Sequence, residues 1–323
     1  MLEILPFNQS KITEKQWDEF VQQSDNGTLF HTRKFLSYHP QKRFTDASLA
    51  IFKKDKLFSI FSAAKIERDG IKILSSHAGA SYGGFVHKSN LNLEESFALV
   101  ESLISFCKNN SYNIIELTHT PMIYQSKYSN YLDFALIKNG FEYKKREISS
   151  VVQLDIGEGE LLNTFRATAR TATKKSMKLG IEIRECEDFE AYYEILKMNL
   201  GMRHNVEPTH SIEELKKLKS LFPNDIRLWG AFKEKKIIAG VCNFSANSKV
   251  VLAFYISHLE KYQEYRAVNL LFYEIMNQYQ KEGSKFLDFG IFTVNMDPNW
   301  GLARFKENFG ARGIFRDTFI KKL

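Results

Sequence analysis

Phe52-Lys53-Lys54-Asp55-Lys56 and Phe232-Lys233-Glu234-Lys235-Lys236 decide how this chain is read. Each ends one apolar run and opens another. Ser48 to Lys53 returns as Leu57 to Ile66, and Arg227 to Lys233 returns as Ile237 to Ser245. Short apolar runs joined by two charged residues predict β-hairpins. The shared Phe-Lys-x-x-Lys core repeats at an offset of 232 − 52 = 180 residues.

Working outward, each hairpin is followed by a helix that feeds a strand. Phe97, Val100, Leu103, Ile104 and Cys107 recur at helical spacing, as do Val268, Leu271, Phe272, Ile275 and Tyr279. The strands are Ile114-Ile115-Glu116-Leu117 and Phe286-Leu287-Asp288-Phe289, each apolar but for one acid, at an offset of 288 − 116 = 172. A short helix stopped by glycine closes each half: Tyr131 to Lys138 before Asn139–Gly140, and Leu302 to Asn308 before Phe309–Gly310. The alternative is one large mixed α/β domain with generic hairpins, in which three landmarks in the same order arise by chance. The pattern predicts an α/β fold of mixed sheets in two tandem units, residues 1–155 and 156–323. The junction is the polar Ile156-Gly157-Glu158-Gly159.

With 323 residues and 44% hydrophobic side chains, the chain can bury two cores, which excludes a disordered protein. The net charge of +7 fits a phosphate-bearing partner, whether a coenzyme, a nucleotide-linked precursor or a tRNA, and equally a soluble enzyme that is simply basic. No DNA partner is expected. Cys107, Cys186 and Cys242 are far apart and read as core thiols. The histidines show no metal-ligand spacing. Met1 to Ser10 lacks the cationic start and apolar run of a signal peptide, and no stretch nears the ~18 apolar residues of a membrane span. A cytoplasmic protein without a transmembrane segment is expected.

Four stretches resemble a known group: Phe30-His31-Thr32-Arg33-Lys34-Phe35-Leu36; Ser81-Tyr82-Gly83-Gly84; the basic run from Phe165-Arg166 to Lys178-Leu179-Gly180; and Asp288-Phe289-Gly290 with Asn299-Trp300-Gly301-Leu302, Phe305-Lys306 and Phe309-Gly310. Together they resemble the tandem-GNAT acyltransferases that include the Fem-type peptidoglycan bridge aminoacyltransferases and related envelope and polysaccharide acyltransferases. The last stretch is the most specific. The resemblance implies two tandem GNAT domains, the active site in the second. It implies an N-acyltransferase that moves an acyl or aminoacyl group to an amine on a cell-envelope or nucleotide-linked precursor. No tightly bound cofactor is implied, only acyl-CoA or aminoacyl-tRNA as co-substrate. The alternatives are a plain acyl-CoA-dependent N-acetyltransferase and a binding module that kept the fold and lost the chemistry.

Acyl transfer to an amine needs a base for the ammonium proton and a partner for the oxyanion. The resemblance makes Lys306 the group that neutralises transition-state charge; otherwise it is a solvated surface lysine. Asp288, inside an apolar strand, is a base candidate because burial raises a carboxylate's pKa; Glu116 is its first-half counterpart. Arg203 and His204, expected in a loop after the helix Ala191 to Leu200, offer an acceptor-binding cation and an alternative base. Arg166, Arg170, Lys174 and Lys178 recur every four residues as a cationic stripe for phosphates or tRNA, or as a solvated face. Tyr82 sits beside a glycine pair that either admits a ligand or makes a turn. Asn299 is a substrate contact or a helix cap, and Trp300 a pocket wall or core residue. In a CoA-binding GNAT domain a Gln/Arg-x-x-Gly-x-Gly/Ala turn holds the pyrophosphate. Here that place reads Gln263-Glu264-Tyr265-Arg266-Ala267-Val268, without glycine. The departure turns the expectation toward aminoacyl-tRNA, with Arg266 left as the cofactor-binding residue.

Overall fold

The computed structural model describes residues 2–204 and 207–323, without the side chains of 202–204. Its contacts divide the chain into two compact units, Met1–Glu147 with Phe315–Leu323, and Ile148–Ile314. The expected division at 155/156 therefore shifts to 147/148. The strand Glu142–Gln153 runs from one unit into the next, and Arg312–Lys322 returns the chain end to the first.

Both hairpins form as the repeat predicts. Lys53 pairs with Lys56 around Lys54 and Asp55, which take positive φ, and Lys233 pairs with Lys236 around Glu234, which does the same. Each hairpin is bulged at the same place, Ile51/Phe52 in one and Ala231/Phe232 in the other. A bulge inserts an extra residue and is a specific feature of a strand pair, so its recurrence at the 180-residue offset supports duplication beyond the sequence match.

In the first unit, Leu2–Pro6, Leu49–Lys53, Lys56–Ser62 and Gly84–His87 form one antiparallel sheet. Ile114–Thr118 lies in a different sheet, between Ile71–Ser76 and Arg312–Lys322. The helix Leu93–Asn109 buries Leu99, Val100, Leu103 and Cys107 against Leu49, Phe61, Ile115 and Leu117. In the second unit the order is Glu182–Cys186, Ile226–Lys233, Lys236–Ser245, Val250–His258, Phe286–Ile291 and the end of Glu142–Gln153. The helix Ala267–Lys281 buries Leu270, Leu271, Phe272, Ile275 and Tyr279 on this sheet, as its periodicity predicts.

Val250–His258 and Phe286–Ile291 run parallel but pair over three positions only, Val250↔Phe286, Val251↔Leu287 and Leu252↔Asp288. Beyond these the ladder stops, which leaves the rest of the Val250–His258 edge without that partner. Parallel neighbours that separate midway make a wedge in the middle of a sheet, and a cavity opens there.

Candidate functional site: a cavity where two parallel strands part

The cavity measures about 730 Å³. Ile256 and His258 supply one wall, Ile291 to Val294 the other, and the first turns of Ala267–Lys281 and Trp300–Glu307 close its ends. Ile238, Leu259, Val268, Leu302 and Phe305 make the lining largely apolar; Arg266, His258 and Tyr262 are its titratable members, and no carboxylate stands among the described residues that line it.

Arg266 decides what the cavity can hold. It caps Ala267–Lys281 with φ 53° and ψ 29°, the left-handed region. That is where a glycine would ordinarily sit, and a non-glycine residue pays about 1 kcal/mol to be there. The turn that lacks the family's glycines therefore takes the left-handed backbone with arginine in that place. Helix geometry leaves the first-turn amides without intrahelical acceptors. Here no side chain caps them and no acid stands in the first turn. The equivalent first-unit helix is closed by its own residues. Asn92 Oδ1 accepts from Glu95 N (2.9 Å), Glu95 Oε2 accepts from Asn92 N (3.1 Å), and Lys53 Nζ donates to Glu95 Oε1 (2.7 Å). An uncapped helix start beside an arginine attracts an anion, whereas one already carrying Glu94 and Glu95 does not.

Asp288 and Lys306 lie beneath the cavity wall rather than on it. Asp288 is fully buried, and its Oδ1 accepts from Ser149 Oγ (2.5 Å) and Gly290 N (2.7 Å). Gly290 takes φ 73° at the bulge between Asp288 and Ile291. The bent backbone aims two carbonyls at Lys306, whose Nζ donates to Gly290 O and Ile291 O, both at 2.7 Å. Lys306 is 2% exposed; burial pulls its pKa down to about 8, and the Asp288 charge opposes that fall. The lysine is thus neither solvated nor in the cavity. It clamps the strand end that forms the cavity wall.

The other predicted residues separate clearly. Asn299 lines the cavity and also caps Trp300–Glu307, its Oδ1 accepting from Leu302 N at 3.0 Å. Trp300 is 72% exposed, neither core nor wall. Arg166 pairs with Glu307 at 2.7 Å, so the cationic stripe is tied at its start, while Arg170 is half-buried and Lys174 and Lys178 are exposed. Tyr82 is buried: its hydroxyl donates to Tyr124 at 3.2 Å, and the Arg316 guanidinium lies 4.8 Å from its ring centre. The glycine pair beside it serves packing, since a Cβ on Gly83 would meet the His77 amide nitrogen at 2.4 Å. Glu116 is paired with Lys144 at 2.6 Å. Arg203 and His204 belong to the helix Phe189–His204, not to a loop, because Gly201 alone does not stop a helix; their side chains lie outside the described residues.

His258 escaped the sequence reading. It ends the strand Val250–His258 as His87 ends Gly84–His87, an offset of 171 that matches the repeat. Comparing the halves residue by residue exposes the pair.

Residues 163–307 match the family model of the acetyltransferase (GNAT) domain. The match lies within the second unit, and the chain as a whole has the tandem-GNAT fold. It is similar over 99% of its length to the crystal structure of FemX, with a TM-score of 0.76, 16% identity and 97% of that chain covered. It is also similar to L-PGS from Bacillus licheniformis, with a TM-score of 0.61, 12% identity and 96% and 92% of the two chains covered. A tandem GNAT protein from the clavulanic acid biosynthesis pathway gives a TM-score of 0.57 at 10% identity, with 100% and 98% covered. None of the curated proteins matches the sequence. No described helix is long and apolar enough to cross a membrane.

Proposed function

We propose that the second unit transfers an uncharged acyl group from a CoA thioester to an amine. The observation that carries this is the uncapped start of Ala267–Lys281, with Arg266 beside it, at the mouth of a cavity without carboxylates. The donor's phosphates take the first-turn amides and the guanidinium, and its thioester arm enters where the strands part. An aminoacyl ester would bring an α-ammonium beside Arg266 and His258, with no carboxylate in the lining to receive it. The lining therefore favours acyl-CoA over aminoacyl-tRNA.

His258 takes the proton as the amine nitrogen attacks the thioester carbonyl. The strand edge beyond Leu252, unpaired on that side, offers amides to the oxyanion. The carbon–sulfur bond then breaks, and the departing thiolate takes up a proton. Asp288 and Lys306 act as positioning residues that fix the wall at Gly290 and Ile291. The resemblance of the stretch Asp288 to Gly310 to the Fem-type transferases supports an envelope-precursor amine as acceptor. Thiol release from acetyl- and octanoyl-CoA, together with the melting temperature in their presence, tests the reading. Stabilisation by CoA is expected. Stabilisation by an aminoacyl-tRNA and none by any CoA derivative would overturn it.

A further inference from the structure

The first unit has its own cavity at the equivalent place, and its charge is reversed. It measures about 410 Å³ and lies between the end of Gly84–His87, the loop carrying Ser89 and Leu91, and residues 127–131 ahead of the helix Tyr131–Lys138. The strand end and the approaches to the two helices are counterparts of segments that line the second unit's cavity, whereas no counterpart of Ile291 to Val294 lines this one. The helix start at Asn92 is already filled by Glu95, so no anion is drawn there. Asp25 stands in the wall instead.

Asp25 is 4% exposed and His87 6% exposed, and both line the cavity. Asp25 Oδ1 accepts from Ser126 Oγ (2.5 Å) and Lys127 N (2.9 Å), while Oδ2 accepts no hydrogen bond among the described residues. His87 Nδ1 lies 3.0 Å from the Lys88 carbonyl oxygen, which can only accept. Nδ1 therefore carries the proton, and Nε2 offers a lone pair. Burial holds the imidazole pKa below its ordinary value, so the ring is neutral. Asp25 Oδ2 and His87 Nε2 thus keep lone pairs without a hydrogen bond among the described residues, and a donor that also carries positive charge meets both them and the carboxylate's charge. The exposed rings of Tyr128 and Tyr131 complete the lining and suit a cation. Lys127 is exposed at the rim.

We propose that the first unit binds a small protonated amine here, its ammonium between the Asp25 carboxylate and His87 Nε2, beside Tyr128 and Tyr131. The duplicated donor pocket has become an amine pocket. This goes beyond the donor reading and is measured apart from it.

The test is calorimetric titration of the full chain with n-butylammonium, with n-butanol and butyrate as uncharged and anionic controls. The variants are Asp25→Asn, Tyr128→Ala and, in the second unit, Arg266→Ala. Asp25→Asn keeps an oxygen for Ser126 and Lys127. Saturable binding of the amine alone is expected, at least tenfold weaker in Asp25→Asn, weaker in Tyr128→Ala and unchanged in Arg266→Ala. Absence of amine binding, equal binding of n-butanol, or unaltered affinity in a folded Asp25→Asn would overturn the proposal. Should Asp25→Asn melt early, Tyr128→Ala decides, and unchanged affinity there overturns it as well. Loss of CoA binding in Arg266→Ala tests the donor reading and leaves these outcomes untouched.

Discussion

Replacing Lys306 with Met is expected to change how stability depends on pH more than it changes stability itself. The fall in pKa from 10.5 to about 8 corresponds to about 3 kcal/mol of disfavour for the charged form in the folded state. Between these two values the unfolded chain binds the proton and the folded chain does not, so the stability of the wild type rises with pH across that window. Below the lower value both states are protonated and the full burial penalty is present. From pH 7.5 to pH 10 the wild type should gain about 2 kcal/mol that Lys306→Met does not. At the lower pH the variant escapes that penalty but loses two bonds of a charged donor, to Gly290 O and Ile291 O, worth about 1.5–3 kcal/mol each. At the lower end of that range the two effects cancel at this pH, and the wild type pulls ahead as pH rises. Urea unfolding of both proteins at the two pH values measures this directly. Parallel stability profiles would refute the reasoning, because they would mean that the ammonium is not desolvated where the fold places it.

The remaining predictions concern the cavity. Arg266→Gly should relieve the left-handed strain and stabilise the protein by up to about 1 kcal/mol, while raising the Kd for CoA; a melting curve and a titration read the two effects separately, and unchanged CoA affinity would remove Arg266 from the donor site. His258→Ala should lower kcat by roughly 10²–10⁴ with the melting temperature little changed, and retained turnover would exclude it as the base. Asn299→Ala should cost about 1 kcal/mol through loss of the cap on Trp300–Glu307, seen in the denaturation midpoint.

Periodicity and turn chemistry are local, and they carried most of the architecture. The offset of 180 between the hairpins, the helical spacing of Val268 to Tyr279, and the glycine stops at Gly140 and Gly310 all survive in the structure. Of the C-terminal stretch, Asn299 lines the cavity, while Asp288 and Lys306 hold the backbone at Gly290 and Ile291 behind its wall. What each does there was not legible. A lysine on a short amphipathic helix looks the same in sequence whether it meets water, an oxyanion or two backbone carbonyls. Tyr82 and Trp300 show the same limit in opposite directions, one buried among aromatic rings and the other exposed.

The sequence by itself determined the duplicated unit, because strand and helix periods and glycine stops are set by neighbouring residues. Only the tertiary structure decided which groups each half presents to its cavity. Whether a helix start is open to an anion depends on Glu95 folding back on Asn92 in one unit and on Arg266 accepting a left-handed backbone in the other. The fate of Lys306 depends on a bulge that turns Gly290 toward it. These are contacts between groups whose geometry no local pattern encodes.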